Sequence, residues 1–247
     1  MSKMSNKYNK GQRMIRRFGA IPRIYHWLYV ASFLVLLLTG LPKIFVDGEV
    51  NFLYAVFGGA AGAHLGHRIA AVILMAAFPF SLAIDWKGMK TWLRELVDWR
   101  KRDFAFIAVF PKEFFGLHVE FPPQGYLNGG TKINSILQIV CCIGFSVSGM
   151  AIWFPTVLPH GLQLWMYPMH ITFVCLSSAV VMGHIYLAAL HPNAKGGLQG
   201  IITGYVPEFY AREHHGAWLD ELIEENQTLP ADKKLIKSWD AEKGKVV

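Results

Sequence analysis

Four apolar runs, at residues 24–45, 65–86, 133–153 and 167–190, dominate this chain of 247 residues. Each comes close to the roughly 20 residues that a helix needs to cross the hydrocarbon core of a bilayer. A backbone in lipid must satisfy its own polar groups, so single spans of this kind are helices. The expected fold class is all-α: an integral membrane four-helix bundle with both termini cytoplasmic and a cytoplasmic C-terminal extension. Composition agrees, with 53% hydrophobic residues, 17% charged residues and a mean hydropathy of +0.31. The second run is the least regular, because its uninterrupted part is only 69–84, contains Pro79 and is flanked by His67 and Asp85. FAFIAVF (104–110) is too short to span and is expected to lie against the membrane or within the connecting loop. FLYAVFGGAAGA (52–63) is apolar but rich in glycine, and is expected to be an outer loop.

Lysine and arginine orient the spans. Seven precede the first run (Lys3, Lys7, Lys10, Arg13, Arg16, Arg17, Arg23) and eight separate the second from the third (Lys87, Lys90, Arg94, Arg100, Lys101, Arg102, Lys112, Lys132). The first outer connection holds only Lys43, and the second, 155–166, holds none. The positive-inside rule then puts both termini and the long middle loop in the cytoplasm, in a multi-pass protein of the inner membrane. Trp27, Trp86, Trp153 and Trp165 fall near the span ends, where interfacial anchors belong. The expected organisation is a cytoplasmic segment 1–23, a membrane domain 24–190 and a cytoplasmic tail 191–247. The net charge of +7 follows this block pattern and does not indicate a nucleic-acid partner. Cys141, Cys142 and Cys175 all lie in apolar runs, and no Cys-x-x-Cys-His occurs, which argues against a disulfide framework and against covalently attached c-type haem. The first run is too long for the core of a cleaved leader.

Histidines inside spans carry the functional signal, because ionisable groups there are expensive. His170 and His184 are 14 residues apart, which returns them to within about 40° of one helix face, about 21 Å apart along the axis. With the orientation above, His67 shares the outer level with His170 and His26 shares the inner level with His184. Two neutral imidazoles facing across a helix bundle suit the axial positions of a b-type haem, so two levels imply two haems b. Zinc fits less well, since neither level adds a carboxylate or thiolate. The competing reading of each histidine is a neutral imidazole bonded to a carbonyl or hydroxyl, in a haem-free anchor or a proton-relay transporter. Gly40, Gly149 and Gly183 would admit a flat macrocycle, or equally a neighbouring helix. His64 lies one turn before His67 and reads as interfacial. His118, His160, His191, His214 and His215 fall in loops or the tail, where solvation or local bonding is expected. Arg68 and Arg23 would pair with haem propionates or snorkel to the interface.

Taken together, IYHW in the first run, HRIAAV in the second, YLNGGTKIN before the third, the spaced histidines of the fourth, and GGLQGIITGYV followed by REHHGAWLDEL resemble the cytochrome b (gamma) subunits of respiratory membrane-bound formate dehydrogenases. These are dihaem four-helix proteins, and the resemblance covers 18–222. It implies that His67 and His170 hold one haem iron and His26 and His184 the other. It implies quinone binding, with menaquinone as the expected acceptor, near the inner haem by Asn128, Gly130, Thr131 and His184; Thr131 stands where the family pattern has glutamine. It also implies partners: an iron–sulfur (beta) subunit, a molybdenum or tungsten catalytic (alpha) subunit, membrane lipid, and a higher oligomer of the complex. The chain would be the electron-transfer and quinone-reducing subunit, with primary oxidation on its partners. The cytochrome b subunit of a nickel–iron hydrogenase, or of another molybdenum or tungsten oxidoreductase, is the alternative within the same class.

Overall fold

The computed structural model describes residues 12–45, 50–117, 119–191, 195–230, 233–240 and 245–246. Lys3, Lys7, Lys10 and His118 lie outside these. The chain is 76% helical, as an all-α membrane bundle requires. Among the described residues, four helices are long and apolar enough to cross a membrane: α1 (Ala20–Ile44), α3 (Ala60–Ile84), α6 (Gly129–Trp153) and α7 (His160–Ile185), the last prolonged by a π-helical turn, Tyr186–Leu190. Their outward faces are apolar, with Phe80, Val147 and Met182 among the exposed side chains. Water would penalise those faces and lipid would not.

One of the connections differs from expectation. The glycine-rich segment 52–63 is not a loop. It forms a short helix, α2 (Phe52–Val56), and the first turn of α3, separated at Gly58 and Gly59, whose φ of 74° and 94° only glycine adopts without strain. FAFIAVF lies within a longer helix, α5 (Lys101–Phe114), which follows α4 (Trp86–Val97). Asp103, Phe106 and Glu113 are its buried positions, at a spacing that returns to one helix face.

The chain divides into two compact units. One comprises Ala20–Lys90 and Ile139–Ser178. Here α1 packs against α3, and small buried residues on α3 (Ala63, Ala70, Ala77) allow close approach of the helices. Buried hydroxyls return to their own helix: Thr39 Oγ1 donates to the Val35 carbonyl at 2.6 Å and Ser148 Oγ to Gly144 at 2.7 Å.

The other unit comprises Met1–Gly19, Thr91–Gln138 and Ala179–Val247. It contains α8 (Lys195–Thr203), α9 (Glu208–Thr228) and a small antiparallel sheet that the composition did not announce. In order β2-β1-β3-β4, Arg13–Arg16 (β1) pairs with Tyr205–Pro207 (β2) and with Ile236–Asp240 (β3), which pairs with Lys245–Val246 (β4). Ile15 lies opposite both Val206 and Ile236, and with Ala211, Leu219 and Leu222 it forms a buried cluster. The segments before the first span and after the fourth therefore share one core. The first turn of α6 is capped by Asn128, whose Oδ1 accepts the Thr131 N–H at 2.8 Å and the Thr131 hydroxyl at 2.9 Å. The fully buried Gln124 ties this turn to α5, donating to the Arg102 carbonyl at 3.0 Å and accepting the Gly129 N–H at 3.3 Å.

Candidate functional site

In the first-described unit, α3 carries His67 and α7 carries His170, and their ring centroids lie 6.5 Å apart at an interplanar angle of 60°. Each ring is held by the helix beside it, α1 for His67 and α6 for His170. His67 Nδ1 lies 2.8 Å from Thr39 Oγ1. The one hydroxyl proton of Thr39 already goes to the Val35 carbonyl, so the oxygen is the acceptor and His67 Nδ1 carries the proton. His170 Nδ1 lies 2.9 Å from the Phe145 carbonyl, which can only accept, and 3.2 Å from Ser148 Oγ, whose proton is likewise committed, to Gly144. Both imidazoles thus carry a proton on Nδ1, and in the neutral form of each the nitrogen left with a lone pair is Nε2. An acceptor that fixes the tautomer and orientation of a histidine through its second nitrogen is the usual support of a metal-binding imidazole.

The separation suits the same chemistry. An imidazole nitrogen binds a first-row metal at about 2 Å, so two imidazoles holding one iron through their Nε2 atoms would have ring centroids roughly 6 Å apart, close to the observed 6.5 Å. These two residues would fit a haem iron, which would supply one-electron chemistry there. Glycines permit the arrangement: a Cβ on Gly149 would stand 3.1 Å from His170 Cε1, and one on Gly40 would stand 3.6 Å from His67 Cε1. At these two positions the glycines face the imidazoles themselves, whereas a Cβ on Gly183 meets nothing within 4 Å. Arg68, next to His67 in sequence, lies over the Trp153 ring, 5.1 Å from its centroid. His64 is exposed on α3.

His26 belongs to the same unit, half-buried on α1 and edge-on to Trp27 at 5.2 Å. His184 belongs to the other, at the end of α7 just before the π-helical turn. Asn128, Gly130 and Thr131 are also in that second unit, in the capped turn that opens α6. A Cβ on Gly130 would come within 3.1 Å of the Phe106 ring, so this turn lies against the buried face of α5.

Of the histidines expected to be solvated or only locally bonded, His191 and His215 are buried and in long-range contact, and His214 is half-buried. His191, 4% exposed, has Nε2 3.0 Å from the Glu113 carbonyl and Nδ1 3.8 Å from the Glu113 carboxylate. His215, 3% exposed, has Nδ1 2.9 Å from the Gly125 carbonyl, and His214 packs against Tyr210 at 4.5 Å. Arg17 is half-buried among the rings of Phe18, Tyr126 and Trp218 and donates to the Tyr126 carbonyl at 2.7 Å. Local sequence polarity did not mark these histidines as buried. The His-His pair within REHHGAWLDEL, where apolar residues alternate with charge, was the only signal that could have done so.

Burial pushes the His215 imidazole well below its ordinary range, and the nearby Arg17 cation adds to this, against the Gly125 hydrogen bond. The unfolded chain takes up a proton on this group below about pH 6.5, while the folded chain does so only at a much lower pH. Stability contributed by the neutral form is therefore complete above about pH 6.5 and declines as the pH falls. Thermal unfolding of the detergent-solubilised protein is expected to show a midpoint that drops between about pH 6.5 and 5, with a smaller drop in His215→Gln. An equal drop in both would assign the acid sensitivity elsewhere.

Comparison with known proteins meets the resemblance in the sequence. The chain is 26% identical, over 86% of its length and 95% of the relative's, to the formate dehydrogenase cytochrome b556(fdo) subunit of Escherichia coli (strain K12). It is 23% identical to that organism's nitrate-inducible formate dehydrogenase cytochrome b556(Fdn) subunit, over 85% and 92%. A formate dehydrogenase cytochrome b556 subunit of Haemophilus influenzae is 22% identical over 81% and 80%. The family model described as prokaryotic cytochrome b561 matches residues 17–204, which include all four membrane helices but not the end of the C-terminal segment. With most of its length so matched, the chain belongs to the prokaryotic cytochrome b561 family.

Proposed function

We propose that this chain is the dihaem cytochrome b subunit of a formate dehydrogenase complex, carrying electrons from an iron–sulfur subunit across the inner membrane to a quinone. The observation that carries the proposal is the His67–His170 pair, with Nδ1 protons committed on both rings and Nε2 lone pairs left for an iron. The relatives are, by name, formate dehydrogenase cytochrome subunits. His26 and His184 are assigned to a second haem on the cytoplasmic side, where the lysine- and arginine-rich segments lie under the positive-inside rule. When bound, the haems supply one-electron carriers whose potentials follow from ligands, burial and nearby charge. In the turn at the start of α6, Asn128 Oδ1 is committed to Thr131, which leaves the Asn128 amide donors for a quinone oxygen. Thr131, with its hydroxyl proton also committed, orients Asn128 instead of contacting the quinone directly. In this reading 1–23 and 191–247 are cytoplasmic and 24–190 forms the membrane domain, with formate oxidised on a molybdenum or tungsten subunit.

The test is to solubilise the tagged chain from membranes of its own organism, identify its partners by mass spectrometry and follow the b-type absorbance. An iron–sulfur protein and a molybdenum or tungsten subunit are expected, with formate reducing the absorbance and a menaquinone analogue reoxidising it. A nickel–iron large subunit, or absorbance that hydrogen but not formate reduces, would move the chain to the hydrogenase branch.

A further inference from the structure

The His67–His170 pair has a cationic rim at one end of its own unit. On α1, Lys43 follows by four residues the Thr39 whose Oγ1 lies 2.8 Å from His67 Nδ1, so the two share a helix face about one turn apart. A helical side chain leans back toward the N-terminus of its helix, which for Lys43 is the direction of Thr39 and His67. The end of α1 is tied to α7, the helix of His170, by the Tyr167 hydroxyl, which donates to the Lys43 carbonyl at 3.1 Å. Lys43 is half-buried and interacts electrostatically with both rings of the pair, and with His64 and Arg68 on α3. A lysine that only snorkelled would carry its ammonium out to the aqueous interface.

Among the described residues this rim has no counter-charge. The one carboxylate described in the unit belongs to Asp85, which caps the opposite end of α3, about 30 Å along the helix from His64. None of the ion pairs among the described residues includes Lys43, His64 or Arg68, and Arg68 lies over the Trp153 ring instead. Asp47 and Glu49 lie outside the described residues. Cations gathered in this way at the edge of a low-dielectric bundle favour an anion beside them. Haem b brings two, the propionate carboxylates on one edge of its macrocycle. Inside a bundle such carboxylates are costly unless a cation meets them.

We propose that the Lys43 ammonium is the charge partner of a propionate carboxylate on the haem held by His67 and His170, and that it raises the reduction potential of that haem. This rests on the haem reading of the pair given above. A fixed cation nearby favours the ferrous state, which carries one positive charge fewer than the ferric. Charge close to a haem and burial around it are the protein's means of setting its potential. Arg68 is the second permanent cation of the rim, and a planar guanidinium can meet a carboxylate through two N–H groups.

The test compares Lys43→Gln and Lys43→Arg with the unaltered chain, each purified from its own membranes. The readouts are a redox titration of the b-type absorbance and resonance Raman spectra in the propionate bending region. In Lys43→Gln the reduced-to-oxidised ratio of one haem at a fixed potential is expected to fall about tenfold, which is about 59 mV for one electron, while the other haem keeps its potential. Lys43→Arg keeps the charge and is expected to return that ratio to within about threefold of the unaltered chain. Its propionate band is expected to shift, because a planar fork replaces a point donor. If both variants keep the potentials and the Raman bands of the unaltered chain, the proposal is wrong. If Lys43→Gln leaves both as they were but retains fewer anionic phospholipids by mass spectrometry, the ammonium serves a lipid headgroup and the proposal is overturned. A His170→Ala chain that keeps every haem would refute the haem reading itself, and the proposal with it, whatever the Lys43 variants do. Should Lys43→Gln fail to assemble, an unmoved propionate band in Lys43→Arg overturns the proposal alone.

Discussion

His170→Ala is expected to retain one haem b and the unaltered chain two, by pyridine haemochrome count on the purified chain, with one set of the reduced-minus-oxidised bands lost. The imidazole is oriented by Phe145 and Ser148 on α6, and nothing in the two interactions can replace its Nε2. Retention of both haems would separate the His67–His170 pair from haem ligation. His184→Ala, 14 residues along the same helix, is expected to lose the other haem and keep this one. A gentler change probes the support: Thr39→Val keeps the shape of the side chain and removes the oxygen that accepts the His67 Nδ1 proton at 2.8 Å. Loss of such an orienting acceptor typically lowers metal affinity about 10- to 100-fold. Haem retention under chelating apo-myoglobin competition, together with a shifted midpoint potential, would register it.

Lys132→Met is expected to be among the most destabilising single substitutions in the chain. Lys132 and Asp103 are 3% and 0% exposed in their side chains, with Lys132 Nζ 2.8 Å from Asp103 Oδ2 and 2.7 Å from the Asp98 carbonyl. The same carboxylate oxygen accepts the Arg100 N–H at 2.8 Å, so the pair fastens the start of α5 to the start of α6. Removing one partner leaves a buried, uncompensated charge, a loss of about 3–5 kcal/mol. Replacing both, as Asp103→Leu with Lys132→Met, removes the charge as well and is expected to recover more than half of that loss. The remaining cost comes from the Arg100 N–H and the Asp98 carbonyl, which lose a partner. Thermal unfolding of the two single variants and the double variant closes the cycle. Simple additivity would show that the two groups do not act as a pair.

Much of this architecture can be read from local sequence because the bilayer imposes it. Twenty or so apolar residues in a row have one low-energy solution in lipid, and all four runs are helices with ends within two turns of expectation, the largest difference being at α7, which begins seven residues earlier. The approach of His67 to His170 follows from helix periodicity once α3 and α7 are neighbours. Residues 52–63 and 104–110 were harder to read, since short apolar stretches are ambiguous and the break between α2 and α3 depends on backbone angles at Gly58 and Gly59.

The buried polar groups of the other unit could not be read in this way. Glu113 and His191 are 78 residues apart, as are no residues linked by helix periodicity, and His215 meets Gly125 across 90 residues. Segments as short as RMIR, YVP and IKSWD have little strand signal, and only their mutual pairing around Ile15 makes them a sheet. The sequence by itself determined that the chain crosses a membrane four times and carries histidines at two levels, because hydrophobic length and helical repeat are local properties. Only the tertiary structure decided which nitrogen of His67 and His170 keeps its lone pair and that Glu113 meets His191, because hydrogen-bond partners brought in from distant elements settle where a buried proton resides.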